Sequence, residues 1–240
     1  MVDFRYHALS LVAVFMALGV GLLLGVAIGD SGLASTARDT LRDGLQGDVA
    51  RVRTDARALA AEVERRDRFE RRTYPQVVAG RLRGERVGLV FLGARDGDVH
   101  DQVRAAIEPA GGELAFVADA HGDTEAQGSR AAAAIAQGGA ADPALLSGIA
   151  GPLGGADAIV IARTAPHSGE AFDAGVADAL RAAGVRVAGV ELGPATPPRS
   201  RWYRDHELTP VDHLDDPVGM TALVLVLAGD ARGAAALGTE

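Results

Sequence analysis

The chain has 240 residues, of which 48% are hydrophobic, 23% charged and 4% aromatic, with 31 Gly and no Cys. So high an apolar fraction excludes a wholly disordered chain, and the missing Cys excludes disulfides, thiolate metal sites and Cys nucleophiles. All 24 basic residues are Arg, which excludes Schiff-base chemistry and a P-loop lysine, and the net charge of −8 argues against nucleic acid as a partner.

The charges divide the chain into three compositions. Residues 1–29 carry only Asp3 and Arg5, residues 30–85 carry 12 Arg against 10 acids, and residues 86–240 carry 11 Arg against 21 acids. An uncharged opening, a dense mixed-charge segment and an acidic body imply three physical environments.

Between Arg5 and Asp30 lie 24 residues without a formal charge. As a helix, Ala8 to Ile28 spans roughly 30 Å, the thickness of a bilayer core. We read residues 1–7 as a short N-terminus and 8–29 as a transmembrane helix. The competing reading is a cleaved secretory signal, for which Ala27 and Gly29 offer a small-x-small cleavage site. A signal's apolar region runs about 7–15 residues behind a basic start, so the length favours a retained anchor. Ala13, Ala17, Gly21, Gly25 and Gly29 recur every fourth position, the last three as overlapping GxxxG motifs. Such a ridge favours close helix–helix contact in lipid; the alternative is a chance product of an Ala/Gly-rich chain. Arg5 and the α-amino group lean towards a cytoplasmic N-terminus, with Arg38 and Arg42 more distant from the span.

Residues 36–72 lack Pro and read as one long helix, a stalk. Leu45, Val49, Val52, Ala56, Leu59 and Val63 alternate spacings of four and three, the seam of a coiled coil, with Leu41 as an N-terminal extension. Ala56, Gly44 and Gly47 weaken this coil, and tethering through the anchor compensates by raising local concentration. The expectation is a parallel homodimer, with a single helix folded back on the body as the alternative. Glu64, Asp67 and Glu70 interleave with Arg65, Arg66, Arg68, Arg71 and Arg72, as on a solvated helix end. Tyr74-Pro75 is expected to stop the helix.

From residue 85 to 230 the pattern becomes that of an α/β body, with 231–240 as a tail. Strands are expected at Arg86–Leu92, Glu113–Ala118, Asp157–Ala162 and Val185–Leu192, each a short apolar run. Helices are expected at Gly97–Pro109, in the Ala-rich stretch 124–150 with breaks at Gly138-Gly139 and Pro143, at Gly169–Ala183, and from Pro217 to about Leu227 behind the N-cap Asp216. The alternation implies a three-layer α/β/α sandwich of four or five strands, its sheet mainly parallel. No strand is followed by GxGxxG, a P-loop or GxSxG, and His167 beside Ser168 is a loop pair rather than a nucleophile elbow. The long segment Gly193 to Asp215 holds His206, Asp212 and His213, which could ligate a divalent metal, or belong to a polar loop leading into the cap of the last helix. No constellation reads as catalytic, so no enzyme and no cofactor are expected.

The opening Phe4-Arg5-Tyr6-His7-Ala8-Leu9-Ser10-Leu11-Val12-Ala13-Val14-Phe15, with Leu18-Gly19-Val20-Gly21, resembles the start of the actinobacterial copper transporter family. Val211-Asp212-His213-Leu214-Asp215-Asp216-Pro217-Val218-Gly219 is similar to its C-terminal signature, and anchor, stalk and body follow in the family's order. The resemblance implies a single-pass cell-envelope protein with its body outside the cytoplasm, serving copper efflux or homeostasis. Some relatives are tied instead to cell separation and peptidoglycan hydrolase control beside another membrane protein. Copper enters only through this resemblance. Cu(I) prefers thiolate and thioether ligands, and the chain has no Cys and only Met1, Met16 and Met220.

Overall fold

The computed structural model describes residues 4–29, 33–165, 169–193, 199–230 and 233–234, the side chains of 4, 5 and 33–40 excepted. The chain divides into two compact units, Met1–Glu64 and Arg65–Glu240. The first holds helix α1 (Phe4–Gly29) and most of α2 (Leu33–Val78). Helix α2 does not stop at Tyr74-Pro75 as expected but carries Pro75 inside its last turns. Proline removes the donor that would close on the carbonyl four residues back, and packing makes good the loss. Tyr74 and Val78 are buried against the sheet, and the Tyr74 hydroxyl donates to the Ala106 carbonyl at 2.6 Å.

The body is a six-stranded sheet ordered β3-β2-β1-β4-β5-β6. Its strands are β1 (Arg86–Leu92), β2 (Glu113–Ala120), β3 (Leu146–Ala150), β4 (Ala158–Arg163), β5 (Arg186–Val190) and β6 (Thr209–Val211). All pairings are parallel except β2 with β3. The remaining helices are α3 (Gly97–Ile107), α4 (Glu125–Gln137), α5 (Glu170–Ala182), α6 (Ser200–Asp205) and α7 (Pro217–Leu227). Alternate residues of β1 point to opposite faces. Val87, Leu89 and Phe91 join one core with the end of α2, α3 and α7, while Val90 and Leu92 join the other with α4, α5 and α6. This is the expected α/β/α sandwich with a mainly parallel sheet.

Three local expectations are corrected. The stretch 124–150 is helical only up to its expected break: α4 ends at Gln137, where Gly138 turns left-handed at φ 74°, a conformation costly for any residue with a Cβ. Beyond Pro143 the chain returns as the antiparallel edge strand β3. The segment 193–215 is not all loop either, since it contains α6 and β6. Six strands therefore replace the expected four or five. Helix α7 begins as anticipated, with the Asp216 carboxylate accepting from Gly219 N at 2.8 Å and Pro217 in the first turn.

Candidate functional site

Within α1, Tyr6–Gly29 forms 24 residues long and apolar enough to cross a membrane, none of them covered by the protein itself. Leu22 and Leu23 are each 72% exposed. A helix apolar on every side requires an apolar surrounding, which water does not provide. Ala17, Gly21 and Gly25 line a shallow groove with Val14, Leu18, Leu22 and Val26. A Cβ added at Gly21, Gly25 or Gly29 would meet nothing within 4 Å. These glycines therefore relieve no crowding inside the chain. Ala13 lies on the same helix.

The seam of α2 is equally bare. Leu45, Val49, Val52, Leu59 and Val63 are exposed, as is Ala56. Gly44 and Gly47 also have open space where a side chain would stand.

In a wound sheet, ligands are received where the carboxyl ends of strands diverge, here between β1 and β4. After β1, Asp96 caps α3 by accepting from Asp98 N at 2.9 Å and Val99 N at 3.3 Å. A carboxylate thus occupies the helix terminus that a nucleotide phosphate would use. Arg95 bridges the neighbouring strands, meeting the Asp119 carboxylate at 2.9 Å and the Gly148 carbonyl at 2.5 Å. His167 and Ser168 lie outside the described residues.

The end of β4 carries a charged cluster that the sequence reading missed. Arg163 Nε donates to the fully buried Asp173 at 2.7 Å, and its NH2 donates to Glu170 at 2.7 Å. Its guanidinium lies 4.6 Å from the centre of the Trp202 ring, whose Nε1 donates to Glu170 at 2.9 Å. Burial works against the arginine's charge, but its hydrogen bonds to Asp173 and Glu170 outweigh this and raise its pKa. The bond from Arg163 holds the Glu170 pKa below its ordinary value. The backbone N–H of Arg163 donates to the Tyr203 hydroxyl at 3.0 Å, and that hydroxyl donates to the Val190 carbonyl at 3.1 Å. Complete burial raises the Tyr203 pKa, so it stays neutral. The cluster ties β4, α5, α6 and β5 together. Its sequence signal was an Arg closing an apolar strand and an Asp on the apolar face of α5, beside Phe172 and Val176.

Of the metal candidates, His206 stands at the edge of this cluster. His206 stacks on Trp202 at 4.2 Å, with Nδ1 2.9 Å from the Trp202 carbonyl. Asp212 and His213 follow β6, His213 exposed and at φ 49°. The neighbouring Asp215 accepts from Gly193 N at 3.0 Å. Among the described residues, no group of three or more His, Asp or Glu side chains is arranged to hold a metal ion.

Comparison with known proteins bears on residues 1–119, which match the model of the family described as copper transport outer membrane protein, MctB. Copper transporter MctB of Mycobacterium bovis is 33% identical over 113 residues, which cover 47% of this chain and 34% of that protein. Copper transporter MctB from two strains of Mycobacterium tuberculosis matches to the same extent. The chain therefore aligns with about a third of the length of these curated relatives. Residues 1–119, just under half of the chain, hold the apolar helix, the long helix α2 and the first β–α unit of the sheet, and it is this stretch that is similar to the MctB family of copper transport proteins.

Proposed function

We propose that the protein is a single-pass envelope protein that supports copper homeostasis as a dimeric scaffold rather than by holding Cu(I) itself. The observation that carries this reading is the family match over residues 1–119, whose first helix is apolar on every side. The N-terminus lies in the cytoplasm and the segment from residue 36 onward lies outside. The ridge Ala13, Ala17, Gly21, Gly25, Gly29 and the seam Leu45 to Val63 are the contacts between two copies, and a further envelope protein completes the assembly.

The donor set supports the scaffold role. With no Cys and three Met separated along the chain, soft ligands for Cu(I) are too few to form a site within one copy. Should the full chain take up Cu(II) in a titration, His206 and His213 are the residues to replace first. A second reading, control of cell separation without any link to copper, rests on the same missing donors. A deletion strain examined for copper tolerance and for septation separates the two. Copper sensitivity, reversed by the full chain, is expected. Normal tolerance with chained or unseparated cells would replace the copper role with the second reading. Protease added to spheroplasts should digest the body while the anchor stays in the membrane.

A further inference from the structure

The helix α2 is continuous from Leu33 to Val78, so heptad positions along it hold in space. Leu45, Val52 and Leu59 take position d, and Val49, Ala56 and Val63 take position a. The flanking e positions are then Gln46, Arg53, Ala60 and Asp67, and the g positions are Asp48, Asp55 and Glu62. The groove along the seam is lined by Leu45 and Val49 between Arg42, Gln46, Ala50 and Arg53. Val at a with Leu at d suits two strands.

The flanking charges select the occupant and its direction. In a parallel, in-register pair, each g residue meets the e residue five positions on in the other copy. Asp48 then faces Arg53 twice, Asp55 faces Ala60, and Glu62 faces Asp67. An antiparallel pair keeping the same seam is centred on residue 54. It would set Asp55 against Asp55, Arg53 against Arg53 and Asp48 against Glu62, so that every charged contact repels. The intrahelical contact of Asp48 with Arg51 at 3.5 Å is largely exposed and yields readily.

We propose that the stalk pairs with a second copy as a parallel, in-register two-stranded coil over Leu45–Val63, aligned by reciprocal Asp48–Arg53 ion pairs and stopped beyond Val63. The stop has two causes. Glu62 and Asp67 repel across the interface, and the next two core positions are Arg66 and Glu70, already paired with each other at 3.0 Å on one helix. The second compact unit begins at Arg65, beside this stop. The inference rests on the dimeric reading above and adds the register, the ion pairs that set it, and the end of the coil.

Because the chain has no Cys, single-Cys variants of the full-length protein in membranes report their own position. Leu45→Cys and Leu59→Cys are each expected to form disulfide-linked dimers on mild oxidation. Differently tagged Leu45→Cys and Val63→Cys copies should crosslink to one another only at background, since those sites lie about 27 Å apart along a parallel coil. In full-length protein in detergent, Asp48→Arg should weaken dimerisation about tenfold, as two pairs turn from attraction to repulsion. Arg53→Asp should do the same, and the double exchange should restore it. Asp67→Arg should tighten the dimer. Efficient crosslinking between positions 45 and 63, or no recovery in the double exchange, would overturn the proposal. A dimer by sedimentation with no crosslink at 45 or 59 overturns the coil but leaves a dimeric protein; a monomer by sedimentation removes both.

Discussion

Replacing Asp173 with Leu removes the partner that lies deepest beside Arg163. Asp173 is wholly buried and the Arg163 side chain is 10% exposed, whereas Glu170, the other carboxylate, is 71% exposed. Glu170 therefore cannot stand in for Asp173 inside the layer between β4 and α5. Breaking one side of a buried pair costs about 3–5 kcal/mol, because the remaining charge is stranded. Arg163→Met should cost a similar amount, less what Glu170 recovers by facing water. The double variant should cost less than Asp173→Leu alone, since two apolar chains can fill the space of the pair without leaving a charge. Trp202 is the only Trp in the chain and lies against the guanidinium, so its fluorescence during urea unfolding of the full-length protein in detergent follows this cluster directly. The midpoint should fall by about 1–5 M for Asp173→Leu at the usual slope for small proteins. An unchanged midpoint, or a double variant as weak as the sum of the single ones, would refute the assignment of this pair as the clamp between β4 and α5.

Tyr203→Phe should destabilise the body by about 1–3 kcal/mol in the same unfolding assay, because the Arg163 N–H and the Val190 carbonyl lose a buried partner. Glu170 ties the cluster to pH. Its pKa is lowered in the folded protein by the Arg163 hydrogen bond, so its contribution is complete above the unfolded carboxylate value of about 4.3 and is lost as pH falls through the lower folded value. Unfolding midpoints measured from pH 7 to pH 3 should therefore decline less steeply at the acid end in Glu170→Gln than in the parent protein.

The elements legible in the sequence are those whose cause is local. The charge-free run from Tyr6 to Gly29 appears as α1, the apolar runs from Arg86 and Glu113 as β1 and β2, and Asp216-Pro217 as the start of α7. Each rests on a repeating apolar pattern or a cap that a few neighbouring residues define. Position 138 shows the limit of such reading, because Gly138-Gly139 and Pro143 mark a break in the Ala-rich stretch but not that a strand follows it. Its Gly admits a left-handed turn, and pairing with β2 draws the following residues into a strand.

The sequence by itself determined the uncharged span, the heptad seam and the alternation of strands and helices, because periodicity, charge and capping act between near neighbours. The tertiary structure alone decided that Pro75 stays helical, where Tyr74 and Val78 are buried and the tyrosine reaches Ala106. It decided likewise that the segment after Gly193 becomes α6 and β6, where Tyr203 bonds to two strands and Thr209–Val211 finds β5. It also brought Arg163, Glu170, Asp173 and Trp202 together from separate elements. Such contacts depend on burial and on partners distant in the chain, and no local pattern carries either.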